Sequence, residues 1–150
     1  MESSVADYSA SGTKRQRTGS ILPKIAPSNV YPCKDGEFLI GGNGDRIFAR
    51  LAEAMGQPEL ATDPRYATNA ARVAARAELV PMLQAILRTR PAAEWLAALE
   101  AAVVPANPVN RIDQVFDDPQ VQARGLRIEL PHASGKPVPM VRNPLRFSAT

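Results

Sequence analysis

Proline sets the grain of this fold. The chain carries 14 of them in 150 residues, against a usual share of about 5%. Each removes a backbone N–H donor and fixes φ, so long helices and central strands are interrupted. Short elements joined by turns are therefore expected. Hydrophobic residues make up 45% and charged residues 22%, close to globular averages, which excludes wholesale disorder. Aromatics are only 5%, with Trp95 the single tryptophan, so the core is expected to be mostly Leu, Ile, Val and Ala. At this length one domain is expected, burying roughly 70% of its unfolded surface, and a two-domain enzyme is not.

Cysteine and histidine narrow the chemistry. Cys33 is the only cysteine, which rules out an internal disulfide and a thiolate cluster and predicts a reduced, cytoplasmic protein. His132 is the only histidine, so no multi-histidine metal site can form. No apolar run approaches the roughly 20 residues of a membrane span. Met1-Glu2-Ser3-Ser4 lacks the basic-then-apolar pattern of a signal peptide. The net charge is +3, and much of the excess lies in Lys14, Arg15, Arg17 and Lys24. A nucleic-acid binder would gather its cations on one face with aromatics between them. Lys14-Arg15-Gln16-Arg17 reads instead as a solvated tail, and neither nucleic acid nor membrane is expected as a partner.

Residues 1–28 are rich in Ser, Gly, Thr and basic residues and read as an extended, partly mobile connector with a short helix at its start. A hairpin follows: Asn29-Val30-Tyr31, a turn at Lys34-Asp35-Gly36, then Glu37–Ile40. A helix begins near Asp45, with Ile47, Phe48, Leu51, Ala52 and Met55 at helical spacing. Asn43 or Asp45 would cap it and Gly56 would end it. Residues 74–88 read as a helix that Pro81 kinks or opens. Residues 91–102 read as another, with Pro91 at its start and Trp95, Leu96, Leu99 and Val103 facing inward. Two small helices are expected at 111–116 and 119–124, the second capped by Asp118 and stopped by Gly125. Leu126, Ile128 and Leu130 alternate as a half-buried strand that turns at Ser134-Gly135 and pairs with 138–141. The fold class is α+β, a helical cluster with short antiparallel strands: a connector over 1–28, a small domain over 29–130 and an extended C-terminal connector over 131–150.

Gly41-Gly42-Asn43-Gly44 is the most suggestive segment. It joins a strand to a helix start, where backbone amides and the helix dipole can cradle an anion or a thioester oxygen. It is neither a phosphate-binding P-loop nor a dinucleotide fingerprint. A tight strand-to-helix turn is the plainer reading, and the residues alone leave both open. His132 lacks a partner to orient it and reads as an exposed structural residue. Cys33 reads as a small half-buried hydrophobe. Asp117 and Asp118 read as helix capping rather than a carboxylate pair.

The ordered motifs say more than any one of them. Arg17-Thr18-Gly19 and Ile25-Ala26-Pro27 precede Val30-Tyr31-Pro32-Cys33-Lys34-Asp35-Gly36 and Ile40-Gly41-Gly42-Asn43-Gly44-Asp45-Arg46. Asp63-Pro64-Arg65-Tyr66-Ala67-Thr68-Asn69, Arg72 and Glu94-Trp95 come next. Val104-Pro105-Ala106-Asn107-Pro108-Val109, Asp118-Pro119-Gln120-Val121, Arg124-Gly125 and Asn143-Pro144-Leu145-Arg146-Phe147-Ser148 complete the series. As an ordered set over nearly the whole chain from about residue 12, this resembles the family III CoA-transferases, the CaiB/BaiF-like group that includes formyl-CoA and carnitine CoA-transferases.

The resemblance implies the later, small-domain portion of a longer enzyme. Full-length members begin with a Rossmann-like CoA-binding domain carrying a catalytic aspartate, which attacks the acyl-CoA thioester and passes through a mixed anhydride and an aspartyl-CoA thioester. No position here matches that aspartate's motif, so no catalytic residue is assigned, and this chain alone is expected to be inactive. Coenzyme A and acyl-CoA are implied as substrates of the full-length enzyme, with no tightly bound cofactor and no metal. A carboxylic acid acceptor, the missing CoA-binding domain and a homodimer are implied as partners. Gly41, Gly42, Asn43 and Gly44 would then face the acyl group and help keep water from the anhydride. Two departures from the family pattern stand out. Val103 lies where a glycine usually precedes the Val-Pro motif, and Asn107 stands where glycine is common. Related racemases carry a glutamate in the strand-to-helix loop, and none occurs here, which favours transfer. A racemase relative and a non-catalytic binding or scaffolding module are the alternatives.

Overall fold

The architecture below is that of a computed structural model, which describes residues 2–14, 16–42, 44–143 and 145. The chain divides into two compact units, Met1–Pro108 and Val109–Thr150.

The first unit opens with helix α1 (Glu2–Ser11). Strands β1 (Asn29–Pro32) and β2 (Glu37–Ile40) form the expected antiparallel hairpin, with Asn29 opposite Ile40 and Pro32 opposite Glu37. Strand β3 (Ala106–Pro108) then adds antiparallel to β2, giving the sheet order β1-β2-β3. Sequence reasoning missed β3 because prolines bracket it; an edge strand tolerates them, since its outward N–H groups need no ladder partner. Four helices lie between β2 and β3: α2 (Asp45–Ala54), α3 (Asn69–Ala74), α4 (Arg76–Leu87) and α5 (Ala92–Ala101). A 3-10 turn at Pro58–Ala61 joins α2 to the segment leading into α3.

The core sits between the sheet and these helices. Helix α2 contributes Phe48, Leu51 and Ala52, with Met55 just beyond its end; α4 contributes Leu79, Leu83 and Leu87, one per turn; α5 contributes Trp95 and Leu99. The expected aliphatic core is present, yet Tyr31, Phe38, Phe48, Tyr66 and Trp95 are also buried. Five of the chain's eight aromatics are thus in the core, where each covers a large apolar surface. Their polar atoms are satisfied: the Trp95 indole N–H donates to the Leu87 carbonyl at 2.8 Å and the Tyr31 hydroxyl to the Pro27 carbonyl at 2.6 Å.

Pro81 lies inside α4, beyond its first turn, and the helix runs on to Leu87. Pro91 precedes α5 as its N-cap rather than opening it. The first helical N–H, that of Ala92, donates instead to the Asp35 carboxylate at 2.8 Å, so the hairpin turn caps a helix 57 residues away in sequence. Val103 does not face inward: it is 68% exposed and adopts a φ of 56°. It ends α5 in a two-bond cap in which its N–H donates to Glu100 and that of Val104 to Leu99.

In the second unit a 3-10 turn at Val115–Asp117 leads into helix α6 (Pro119–Ala123). The Asp118 carboxylate accepts from the N–H groups of Gln120 and Val121, and Gly125 ends the helix with a φ of 57°. Strands β4 (Arg127–Leu130) and β5 (Val138–Val141) pair antiparallel, Ile128 opposite Met140 and Leu130 opposite Val138.

Candidate functional site

The glycine turn links β2 to α2, and its surroundings explain its composition. Gly41 donates its N–H to the Pro105 carbonyl at 2.7 Å, and a Cβ there would stand 3.3 Å from the Pro105 Cβ. Gly42 is buried, and a Cβ there would stand 3.0 Å from Pro27 Cδ. Gly44 faces open space, but its φ is 90°, a geometry that side-chain-bearing residues rarely adopt. A side chain at Gly41 or Gly42 would thus press on a proline, which would have to give by a few tenths of an ångström, and Gly44 has a backbone conformation that favours glycine. Asn43 lies outside the described residues.

Of the two expected caps of α2, Asn43 is outside the described residues and Asp45 lies inside the helix: Gly44, which has no side chain, occupies the N-cap position. Asp45 turns its carboxylate to Arg72, whose Nη2 donates to Oδ1 at 2.8 Å. Arg72 is fully buried while Asp45 is largely exposed. The same guanidinium donates from Nε to the Ala26 carbonyl at 2.9 Å and from Nη1 to the Tyr66 carbonyl at 2.8 Å, and it lies 4.5 Å from the Phe48 ring centroid. A planar five-donor group suits such a junction, because a buried cation is tolerated only when fully hydrogen-bonded.

Arg72 belongs to a polar row on α3 and α4. Asn69 accepts from the Ala26 N–H and donates to the Lys24 carbonyl. Arg76 donates to the carbonyls of Leu22, Pro23 and Ile25. The 22–27 part of the expected connector is therefore clamped, with Ala26 to Asn29 buried. Sequence reasoning quoted Asn69 and Arg72 only as motif members and gave them no role. The available signal was their spacing of three and four residues in sequence, 69, 72 and 76, as on one face of a helix.

A second polar group fixes the turn before α3. Arg65 pairs with Asp63 at 2.8 Å and with Glu78, and Glu78 also accepts from the Tyr66 hydroxyl at 2.7 Å. These contacts hold the Asp63 carboxyl below its ordinary value through Arg65, and raise the Tyr66 hydroxyl above its own through the bond to Glu78.

Cys33, Lys24 and His132 have partners of their own. Cys33 is buried and its thiol donates to Asp35 at 3.2 Å. The Asp35 carboxyl is held low, first by the Ala92 N–H and then by that thiol. His132 is exposed, with Nδ1 accepting from the Ser134 N–H at 3.2 Å. Lys24 pairs with Asp7 at 3.0 Å; Arg15 lies outside the described residues. Among the described residues no cluster of three or more His, Cys, Asp or Glu is arranged to hold a metal, and no helix is long and apolar enough to cross a membrane. A shallow groove of about 510 Å³, lined by Leu96, Glu100, Val103, Val104, Pro105 and Ala106 among others, follows the end of α5.

Four separate sequence motifs meet at one place: Ala26-Pro27 under Gly42, Pro105 beside Gly41, Arg72 behind Asp45, and the turn itself. Segments distant in sequence thus pack against the strand-to-helix turn of a small α+β unit. Comparison with known proteins identifies it: the family model for CoA-transferase family III matches residues 1–150, and the chain belongs to that family. It is 46% identical over 125 residues to the succinyl-CoA–D-citramalate CoA-transferase of Chloroflexus aurantiacus, an alignment covering 83% of this chain and 31% of that protein. It is 40% identical over 144 residues to the succinate–glutarate CoA-transferase of Agrobacterium fabrum, covering 96% of this chain and 36% of that protein. A CaiB/BaiF family protein from Brucella suis, solved by crystallography, superposes with a TM-score of 0.80 at 40% identity, over 98% of this chain and 38% of that one. The chain thus spans about a third of the length of these relatives.

Proposed function

We propose that this chain is the acyl-covering portion of a cytoplasmic, homodimeric CoA-transferase that moves CoA between an acyl-CoA donor and a carboxylic acid acceptor. The observation that carries the reading is the convergence of four family motifs on the Gly41–Gly44 turn. A nucleophilic carboxylate and the CoA pocket are supplied by protein outside these 150 residues. The turn faces the acyl group, where backbone amides suit a carbonyl oxygen and a closed wall keeps water from an acyl anhydride. Short dicarboxylic acids are the substrate class, in keeping with the succinyl, citramalate and glutarate named for the relatives.

Two measurements test this. The 150-residue chain, mixed with succinyl-CoA and glutarate, should show no thioester exchange. Set into the Agrobacterium enzyme in place of its matched segment, it should support exchange. Robust turnover by the chain alone, or a folded but inactive chimera, would refute the reading.

A further inference from the structure

We propose that Arg72 is the positioning residue of the glycine turn. The inference rests on the reading that this turn covers the acyl group. It goes further by assigning the device that fixes the turn to a residue that touches no substrate. Arg72 is fully buried, so its guanidinium has one rotamer's worth of freedom and three fixed acceptors. One acceptor, the Ala26 carbonyl, directly precedes Pro27, the residue that closes on Gly42. Another, the Asp45 carboxylate, directly follows Gly44. A single rigid fork therefore sets the distance between the floor of the turn and the helix that leaves it. The third acceptor, the Tyr66 carbonyl, ties that fork to a turn that Arg65 and Glu78 already hold. The Asp45 link is the exposed and removable end of this chain of contacts, since Asp45 is 56% exposed while Arg72 is 0%.

A covering turn that shifts lets water compete with the acceptor acid. The readout is therefore a ratio: CoA released without a new acyl-CoA, against acyl-CoA formed. A variant that merely lowers the folded fraction reduces both together and leaves the ratio unchanged. The assay uses the transferase chimera carrying this segment, with succinyl-CoA and glutarate. Arg72→Gln and Asp45→Ala should each raise hydrolysis relative to transfer by about tenfold, a modest share of what roughly 1 Å of misplacement can cost. Asp45→Asn, whose side-chain oxygen still accepts from the guanidinium, should stay within about twofold of the parent. Gly44→Val, which strains the turn directly, should raise the ratio too. Leu83→Ala, in the core of α4, should lower both rates without moving it.

If Arg72→Gln fails to fold, the Asp45 pair decides. If Gly44→Val raises the ratio while Asp45→Ala and Arg72→Gln do not, Arg72 is not the positioning residue and the covering role of the turn stands. If Gly44→Val has no effect either, the covering role itself fails. If Leu83→Ala moves the ratio as far as the others, the ratio reports stability alone and the inference is overturned.

Discussion

Replacing Val103 with glycine should stabilise the first unit. A β-branched residue at a φ of 56° is a rare arrangement, and left-handed backbone costs an L-residue about 1–2 kcal/mol, the upper end applying to valine. Glycine relieves that strain but loses more freedom on folding, about 0.5–1 kcal/mol. The side chain is 68% exposed, so about a third of its surface is covered. At about 1.5 kcal/mol for complete burial of a valine, its removal forfeits roughly 0.5 kcal/mol. The balance is a gain of about 0.5–1 kcal/mol, which for a unit of this size raises Tm by about 2–6 °C. The assay is urea unfolding followed by the fluorescence of Trp95, the only tryptophan and a buried one, with thermal unfolding by circular dichroism beside it. Val103→Asn should fall between glycine and the parent, because Asn tolerates this region. Val103→Thr keeps the β-branch and should gain nothing. A lower Tm for Val103→Gly, or an equal gain for Val103→Thr, would show that backbone strain is not what Val103 carries.

Gly42→Ala should destabilise by about 1–3 kcal/mol through overpacking on Pro27, and more than Gly41→Ala, whose tightest contact is 3.3 Å rather than 3.0 Å; urea midpoints rank the two. Arg72→Ala should cost roughly 3 kcal/mol, because it strands the buried carbonyls of Ala26 and Tyr66, read from the same unfolding curves. Tyr66→Phe should lose about 1 kcal/mol with its bond to Glu78. Asp35 contributes stability that is present above its unfolded value and lost as pH falls through its lowered folded value. Below about pH 4 the parent should therefore weaken more steeply than Asp35→Asn in a pH series of urea midpoints.

The two hairpins and helices α2, α5 and α6 were legible because their signals are local. Helix α3 was not read, and the helix expected over 111–116 is a turn followed by the 3-10 turn at Val115–Asp117. Residues 48, 51, 52 and 55 announce α2 by spacing, and Asp118 with Pro119 announces α6 by capping chemistry. The capping of α5 by Asp35 was not legible, since it joins two segments 57 residues apart. Val103 was misread for a related reason. Periodicity extends α5 through residue 103 to an inward valine, whereas the backbone already turns there so that the N–H groups of Val103 and Val104 reach back to Glu100 and Leu99. At the glycine turn the string of small residues was visible, but the reason for each one was not. Pro27, Pro105 and Arg72 come from three distant places, and only tertiary packing brings them together.

The β4–β5 hairpin shows a further limit of pattern reading. Alternation at Leu126, Ile128 and Leu130 correctly marks one face, and the register sets Ile128 against Met140 and Leu130 against Val138 on that face. Alternation implies a cover for such a face without supplying it. Leu130 is 46% exposed, Met140 46% and Val138 38%, and every buried hydrophobic residue among those described falls at or before Val104. A two-stranded hairpin draws little stability from its own ladder. The second unit therefore owes its shape to local devices: the Asp118 cap, the left-handed Gly125 and Gly135, and the strand register. The first unit owes its shape to a closed core. A chain ended at residue 110 keeps all of that core together with β3. It should therefore unfold with a Tm within about 3 °C of the parent, a shift worth about 0.5–0.75 kcal/mol for a unit of this size. A larger loss would mean that residues beyond 110 brace the first unit in a way the distribution of buried side chains does not reveal.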